Sequence, residues 1–376
     1  MRSSAVALLM FGFAEEIAMR FVPALMRSMG ASDTTIGLLG SVRDLCDAVL
    51  AYPGGRLSDR WGPTRTLRLV GVISIVGYLI TAVAPNPAVV LGAAVLTMAW
   101  PSMGIVATFD VVARGKRDAM KAFSTQAMLR RVPMVVGPLL GAALVTRYGS
   151  GYGTRVAMVL AALLAMVAVG GFVRALGTGH RRAAPPFRPL VTLKAMPRPV
   201  QVLLASDILV RFCEGLPDVF LVVYVIEQSK QPASVFGGLI ALRSIVSIAS
   251  YLPGVRLALL FRRETVVALG FLAYAGFPLA IAYATSLKWL ALAFVVGGLR
   301  EIGEPARKSL LVEQAGDAPV GDVLGTYLLV RGVMVAAAGL VGGALYAMAP
   351  ALPFKVATGV GLAGVLLWVA LGFRRR

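Results

Sequence analysis

The sequence predicts an all-α protein that crosses a membrane many times. Hydrophobic residues make up 58% of its 376 residues and charged residues only 15%, and the mean hydropathy is +0.81. An average soluble domain has about half apolar and roughly a quarter charged residues. Because the apolar excess extends along the whole chain, most of the chain must face lipid or other membrane helices.

Hydrophobic segments of spanning length recur along the chain. A membrane-spanning helix needs about 20 mostly apolar residues. This length predicts twelve spans, numbered 1 to 12, near residues 4–26, 35–54, 67–84, 88–110, 123–146, 154–174, 200–226, 235–255, 265–285, 288–306, 323–347 and 354–373. Span 1 is long, contains charged residues and ends without a clear cleavage site, so we do not expect a cleavable signal peptide. The longest break, 175–199, is rich in Arg and Pro and predicts a cytoplasmic linker between bundles of six helices at 1–174 and 200–376.

The basic residues are concentrated in alternate loops. These are Arg56, Arg60, Arg65 and Arg68 in the second loop, Arg114, Lys116, Arg117 and Lys121 in the fourth, Arg256, Arg262 and Arg263 in the eighth, and Arg374, Arg375 and Arg376 in the tail. By the positive-inside rule both termini are predicted to be cytoplasmic. The loops account for the net charge of +19, so the expected partner is the lipid bilayer and not a nucleic acid. We expect a monomer in the inner (cytoplasmic) membrane, and the high Arg and Ala content indicates a bacterial source.

The two predicted bundles resemble each other in sequence. The matching positions are Arg43 and Arg243, residues 53–54 and 253–254, residues 125–130 and 326–331, and Gly141 and Gly342. Two registers with nearly the same offset, in equivalent spans, are hard to produce by chance. The pattern therefore indicates an internal duplication.

Ionisable side chains within the predicted spans are costly in a bilayer, so they face a cavity or each other. The candidates for the substrate cavity and proton coupling are Glu15, Glu16, Arg20, Arg43, Asp47, Arg130, Asp207, Arg211, Glu214, Asp218, Arg243, Glu301, Glu304 and Arg331. The four in span 7 follow one another at spacings that place them on one helix face. That face is predicted to line a central cavity or to pack against a charged partner.

Two interpretations of these charges stay open. In the first, Glu16–Arg20, Arg43–Asp47 and Asp207–Arg211 pair within their helices, because each pair is four residues apart. In the second, some carboxylates in the cavity load and release protons. Glu15 and Glu214 are the preferred proton carriers, and the only histidine, His180, lies in the linker.

The arginine pairs Arg43/Arg243 and Arg130/Arg331 also have two interpretations. Paired arginines facing one cavity could bind an anion bidentately. Equally, they could form salt bridges between the bundles with Asp44, Asp47 or Glu304. We favour the salt bridges at this point.

A charged, glycine-punctuated segment at 55–65 separates spans 2 and 3 and is expected to be a loop at the membrane surface. Its pattern, G-x-L-x-D-R-x-G-x-x-R, consists of Gly55, Leu57, Asp59, Arg60, Gly62 and Arg65. It resembles the loop between helices 2 and 3 of the major facilitator superfamily of transporters. The resemblance implies parallel six-helix halves with a substrate site between them near mid-membrane, and a cytoplasmic gate centred on Asp59. In the second copy Leu259 and Arg262 replace Asp59 and Gly62, so such a gate is asymmetric.

Gly137, Pro138 and Gly141 in span 5 resemble the Gly-Pro motif of the drug/proton antiporter branch with twelve helices. In that motif small residues permit close helix approach and proline bends the helix. Ordinary small-residue packing explains the pattern equally well. Span 4 also lacks the arginine of many such antiporters, because Trp100 and Pro101 occupy its centre.

The sequence favours a secondary transporter of a small molecule that works by alternating access. The leading prediction is proton-coupled efflux of a lipophilic or cationic drug or metabolite, with apolar contacts from Tyr224, Trp100 and methionines. One alternative is an importer or exchanger of organic anions that uses cavity arginines, and another is a membrane receptor or scaffold without transport. No enzyme, metal or cofactor is expected, since the chain has no P-loop, no G-x-S-x-G and no Cys/His ligand spacing. Cys46 and Cys213 are expected to be core residues.

Overall fold

The computed structural model describes the chain as a bundle of helices. It describes residues 2–104, 119–175, 189–314 and 320–373, with side chains for 6–104, 130–171, 189–314 and 322–373. In this part of the chain every regular element is helical. The helices form twelve consecutive rods: α1 (Arg2–Ala18, Met19–Phe21 and Val22–Ser28), α2 (Asp33–Trp61), α3 (Pro63–Val83), α4 (Pro87–Thr97 and Ala99–Gly104), α5 (Ala119–Tyr148), α6 (Ser150–Ala175), α7 (Arg198–Asp218, Leu221–Val223 and Tyr224–Gln228), α8 (Ala233–Leu260), α9 (Arg263–Ala282), α10 (Leu287–Leu299, Arg300–Gly303 and Glu304–Gln314), α11 (Val320–Val335 and Ala337–Met348) and α12 (Leu352–Leu367 and Trp368–Gly372).

Each rod coincides with one predicted span. In the described residues seven rods, α3, α4, α6, α8, α9, α11 and α12, are long and apolar enough to cross a membrane. The charges carried by α2, α7 and α10 lower the hydropathy of those rods. The all-α polytopic fold is thus present, while the crossing of a membrane by all twelve rods stays a prediction. The end of predicted span 4, the basic fourth loop before Ala119 and the linker stretch 176–188 with His180 lie outside the described residues.

The predicted loop at 55–65 is wrong. Helix α2 continues to Trp61, α3 begins at Pro63, and only Gly62 lies between them with φ of +83°. Glycine adopts this left-handed conformation without a steric penalty, and proline is well suited to the first position of the next helix. A single residue therefore makes the turn for which the composition suggested a whole loop.

The predicted linker at 175–199 is also partly wrong. Within it, Pro189–Ala195 forms a short helix and α7 already begins at Arg198. Pro197 stands at the N-cap and Pro199 in the first turn, where the missing N–H of proline costs no hydrogen bond. Prolines that looked like linker residues therefore start a helix.

The rods pack in a similar way before and after the linker. Helix α1 packs against α5 and α6, and α7 packs against α11 and α12. A Cβ atom at Gly141 of α5 would lie 1.9 Å from the Ile17 carbonyl oxygen, and one at Gly342 of α11 would lie 1.9 Å from the Leu216 carbonyl oxygen. The two glycines that correspond in the sequence repeat therefore have the same packing role.

The helices before and after the linker meet mainly along two pairs, α2 with α11 and α5 with α8. We call the end of the bundle with the turn at Gly149 the Gly149 end, and the end with the turn at Arg262 the Arg262 end. At the Gly149 end the two pairs are in close contact: a Cβ atom at Gly37 would lie 2.3 Å from the Gly339 carbonyl oxygen, and one at Gly237 would lie 2.4 Å from the Cβ of Ala142. These contacts separate the middle of the bundle from the loops at the Gly149 end.

Candidate functional site

A polar cavity lies in the middle of the bundle, between the helices before and after the linker. It consists of two adjoining chambers of about 310 and 320 Å³ that share Arg20, Arg243 and Arg300. The ionisable residues that line the chambers are Arg20, Arg43, Asp44, Asp47, Arg130, Arg131, Arg211, Glu214, Asp218, Arg243, Arg300, Glu301 and Arg331. Most of the charges predicted for the cavity are therefore brought together. Glu15, Glu16, Asp207 and Glu304 are not among the lining residues.

Asp207 is the centre of a buried network behind the cavity wall. Its side chain is only 1% exposed and accepts hydrogen bonds from Arg307 at 2.6 Å, Tyr327 Oη at 2.9 Å and Arg331 at 3.0 Å. Arg211 lies 3.7 Å away, as the spacing of four residues predicts. A buried carboxylate is stable only when it is paired and hydrogen-bonded, and here donors from α10 and α11 fulfil this requirement on α7.

Glu214 is also held by arginines. It accepts a hydrogen bond from Arg211 at 3.0 Å and forms a close ion pair with Arg300. Both guanidinium groups lie over the ring of Tyr274, at 4.8 and 5.3 Å from its centroid. Arg300 and Glu301 are additionally 3.8 Å apart. These contacts fix the charged groups of α7 and α10 relative to each other.

The sequence interpretation missed Arg307. Its side chain is 7% exposed and donates to both carboxylate oxygens of Glu304, at 2.7 and 2.8 Å, as well as to Asp207. Glu304 also lies 3.3 Å from Lys308 and 3.6 Å from Arg211. The available signal was the spacing of three residues between Glu304 and Arg307, which places both on one helix face.

On α1 and α2, one predicted ion pair is present and another is not. Glu16 and Arg20 are 3.4 Å apart, as predicted. The predicted Arg43–Asp47 pair does not occur: Arg43 donates instead to the carbonyl oxygen of Met19 at 3.2 Å. Both residues line the cavity.

Arg43 and Arg243 occupy corresponding positions on α2 and α8 and line the same chamber. Among the described residues neither makes an ion pair within 4.0 Å, so the predicted salt bridges to Asp44, Asp47 or Glu304 are wrong for this pair. Arg243 is only 6% exposed, and its guanidinium group lies 5.8 Å from the ring of Phe277. Of the second arginine pair, Arg331 binds Asp207, whereas Arg130 makes no ion pair with a described residue.

Glu15 is one of several acids near the cavity, with Asp44, Asp47 and Asp218, that form no ion pair within 4.0 Å among the described residues. Within the described part of the chain its carboxylate has neither an ion pair within 4.0 Å nor a hydrogen bond. Arg130 of α5 is the arginine with the strongest electrostatic interaction with it, followed by Arg20. Glu15 is therefore a partly buried acid at the edge of the charged region.

Charged and polar contacts close the Gly149 end, and the sequence interpretation missed them too. Arg27 of α1 pairs closely with Asp33 of α2 and lies 3.2 Å from Glu227 of α7. On the other side, Ser41 of α2 accepts a hydrogen bond from the Leu340 N–H at 2.8 Å. Arg27 and Glu227 lie next to predicted loops, where single charges carried no distinctive signal.

The two motifs lie away from the cavity lining. Asp59 is in the last turn of α2 and is partly buried, while Arg60 and Arg65 are exposed. No ion pair to Asp59 occurs within the described residues, although arginines flank it in sequence. In the Gly-Pro motif, a Cβ atom at Gly137 would lie 2.6 Å from the Cβ of Glu16, so the close approach of α5 to α1 is present.

Two predicted apolar contacts with substrate are not available in this structure. Trp100 is buried and stacks on Phe11 with ring centroids 3.7 Å apart. Tyr224 packs against Phe354 near the Gly149 end. Neither lines the central cavity, because both rings are used in helix packing. No group of three or more His, Cys, Asp or Glu side chains that could hold a metal ion occurs among the described residues.

Comparison with known proteins identifies the class. The family model of the Major Facilitator Superfamily matches residues 4–228, so the chain belongs to this superfamily. A crystal structure of the nucleoside transporter NupG is similar over 100% of this chain and 98% of its own, with a TM-score of 0.82 and 12% identity. The human organic anion transporter MFSD10 (TETRAN) is similar over 98% of both chains, with a TM-score of 0.68 and 19% identity.

A third similar structure is a POT family transporter in complex with 5-aminolevulinic acid, with a TM-score of 0.77 and 13% identity over 98% of this chain and 95% of that one. A comparison with curated protein sequences found no match. At these identities the similar structures establish the fold alone. Together with the family match they show that the chain is a secondary transporter and not an enzyme. It is therefore a multi-pass membrane protein.

Proposed function

We propose that this chain transports a small organic compound with an anionic group and couples its movement to protons. The observation that carries the proposal is the pair Arg43 and Arg243, which face one cavity without an acidic partner among the described residues. A charged group in a membrane interior is costly unless it is paired or faces water or a ligand. An anionic substrate is a partner that would lower this cost at both arginines.

The positions of the two arginines suit alternating access. They lie on α2 and α8, one on each side of the linker, so an anion bound between them would contact both proposed halves (residues 1–174 and 200–376). The guanidinium group offers a planar pair of donors that matches a carboxylate or phosphate. Rocking of the halves would then expose the same pair of arginines to each side in turn.

Glu15 is the proposed proton carrier. The other preferred acid, Glu214, is bound by Arg211 and Arg300, and Glu304 is bound by Arg307. Protonation of either would remove one ion pair from arginines that are partly or fully buried, which is costly. Glu15 has no such pairing within the described residues, so it can gain or lose a proton without disrupting the network.

The similar structures support transport of a small molecule without specifying which. Their names describe a nucleoside transporter, an organic anion transporter and a transporter that binds 5-aminolevulinic acid. The cavity favours the organic-anion alternative over efflux of a cationic compound, because unpaired arginines would repel a cation. We further propose that the protein is a monomer of a bacterial inner membrane and that the Arg262 end faces the cytoplasm, following the positive-inside rule. The cavity would then be closed towards the outside.

The test is transport by the purified full-length protein in liposomes that contain a pH-sensitive dye. A panel of carboxylates, phosphorylated compounds and lipophilic cations is added from either side, so that import and efflux are both detected. We expect carboxylates or phosphorylated compounds to drive proton movement, and Arg43→Gln and Arg243→Gln to reduce the rate at least tenfold. Arg262→Gln, at the exposed turn between α8 and α9, is the matched control. Transport of cations only, with both cavity variants unaffected, would overturn the proposal.

Proton coupling is tested separately from substrate exchange. Glu15→Gln should retain exchange of labelled substrate between the two sides but lose accumulation driven by a pH gradient. Glu214→Gln should reduce both activities, because it leaves Arg211 and Arg300 without their shared partner. If Glu15→Gln still accumulates substrate in response to a pH gradient, Glu15 is not the proton carrier.

A further inference from the structure

Asp44 of α2 lies in an acidic part of the cavity. Its Oδ2 atom would be 3.6 Å from a Cβ atom at Gly215, so it lies directly against α7. The charged groups that interact most strongly with it are Asp218, Glu214 and Asp47, all acids, followed by one base, Arg43. Among the described residues Asp44 has no ion pair within 4.0 Å. Asp44 is therefore an acid on the chamber wall without a basic partner among the described residues.

Arg243 of α8 lies in a basic part of the same chamber. The charged groups that interact most strongly with it are Arg300 and Arg20, followed by the acids Asp218 and Glu214. Glu214 is already bound by Arg211 and Arg300. Arg243 is 94% buried, since only 6% of it is exposed, and it lines the chamber without an acidic partner within 4.0 Å in the described residues. Arg243 is therefore a buried base on the chamber wall without an acidic partner among the described residues.

We propose that the substrate is zwitterionic: an amino-carboxylate whose carboxylate binds Arg43 and Arg243 and whose ammonium group binds Asp44. This inference rests on the proposed function and deepens it by naming the substrate class. An ammonium group donates three hydrogen bonds, and a carboxylate accepts two from a guanidinium group. One molecule of this kind offers a partner to Asp44 and to both arginines in one chamber of about 310 Å³.

A simple carboxylate would satisfy only one of the two unbalanced regions. Bound at Arg43 and Arg243, it would leave Asp44 in the same chamber without a basic partner among the described residues. An amino-carboxylate adds no net charge. Specificity for the amine then arises because its absence leaves the partly buried Asp44 beside α7 without a basic partner among the described residues, and an unpaired charge that is shielded from water is unfavourable.

The test is a binding comparison between compounds that differ only in the amine. Alanine, 4-aminobutanoate and 6-aminohexanoate are paired with propanoate, butanoate and hexanoate, and alanylalanine with its N-acetyl derivative. Binding to the purified full-length protein is measured by calorimetry and by thermal stabilisation. We expect at least one amino-carboxylate to bind tenfold or more tightly than its partner compound.

Three variants separate the contributions. Asp44→Asn should reduce the preference for the amine to twofold or less, because it weakens binding of the amino-carboxylate and does not weaken binding of the amine-free compound. Arg243→Gln should weaken both members of each pair, and Asp322→Asn, at the start of α11, is the matched control and should change neither. The experiment is repeated with choline in place of Na⁺, because a metal cation could also supply the charge at Asp44.

The outcomes distinguish this proposal from the proposed function. If amine-free carboxylates bind as tightly as their amino partners, or if Asp44→Asn keeps the preference, the zwitterion is refuted while an anion transporter remains. If carboxylate binding requires Na⁺ and Asp44→Asn removes that requirement, the cation is a metal ion and the proposal is also refuted. If no carboxylate of either kind binds, and none is transported, the proposed function itself fails.

Discussion

Asp207→Asn tests whether the buried network on α7, α10 and α11 holds the structure together. The substitution keeps the size of the side chain and an oxygen that can accept from Tyr327, but it removes the negative charge. Arg307 then retains only Glu304 as an acidic partner, and Arg331 loses its only ion pair among the described residues. Asp207 is 1% exposed, so water cannot replace the lost interactions at this position.

The expected effect is large. Removal of one partner of a buried ion pair costs about 3–5 kcal/mol, because it leaves an uncompensated buried charge. Arg331 lines the cavity and can be solvated there, so we expect the lower end, about 3 kcal/mol of unfolding free energy. Lys308→Ala is the matched control on α10: Lys308 pairs with Glu304 at 3.3 Å but is 61% exposed, and such pairs contribute at most about 1 kcal/mol.

The measurement is equilibrium unfolding in mixed detergent micelles, followed by circular dichroism. The double variant Asp207→Asn with Arg307→Gln should be less destabilised than the sum of the single variants, because the two charges are removed together. If Asp207→Asn unfolds no more easily than Lys308→Ala, the argument from burial is refuted. If the double variant is strictly additive, Asp207 and Arg307 are not coupled.

Three further predictions concern conformational change. Gly237→Ala places a methyl group 2.4 Å from the Cβ of Ala142 on α5, whereas the methyl group of Gly238→Ala has no atom within 4 Å. In a protein whose native cysteines are replaced, only Gly237→Ala should widen the distance between spin labels at residues 30 and 230. Equal effects of the two variants would contradict the packing argument. Glu227→Gln removes a partly exposed ion pair with Arg27. In the same distance measurement it should increase the ratio of open to closed molecules at the Gly149 end, by up to about fivefold. An unchanged ratio would show that the pair does not contribute to closure. Asp59→Asn should slow substrate exchange at least tenfold without altering binding affinity, and an unchanged exchange rate would argue against a gating role.

The fold could be predicted from the sequence because spanning helices have a strong compositional signal. Apolar segments of about 20 residues have few alternatives to a transmembrane helix, and each predicted span coincides with a rod. The ends of helices were less predictable where Gly and Pro cluster. Those residues punctuate loops, but they equally cap and start helices, and the turn at Gly62 and the start of α7 at Arg198 follow the second rule.

The site could be predicted only as a set of charged residues. Helical spacing identifies ion pairs within one helix, and Glu16–Arg20 and Asp207–Arg211 are present. It contains no information on pairs between helices, which depend on how the rods pack. Arg307 therefore went unnoticed as the partner of Asp207, which lies 100 residues away in sequence.

The distribution of ion pairs separates residues that hold the structure from residues that are free to act. Asp207, Glu214 and Glu304 each contact two or more basic groups, and such networks fix the register of the helices that carry them.

Three charged groups that line the cavity without an ion pair among the described residues lie on the helices where the two sets of rods meet. Arg43 and Asp44 are on α2, and Arg243 is on α8. Unpaired charges in a membrane interior persist only where water or a ligand can reach them. The paired network on α7, α10 and α11 contains Arg211 and Arg300, which line the cavity, and the proposal assigns substrate recognition to the charges of α2 and α8 that have no ion pair among the described residues. This assignment predicts that variants of the network lose stability first, whereas variants of Arg43, Asp44 and Arg243 lose binding while they remain folded.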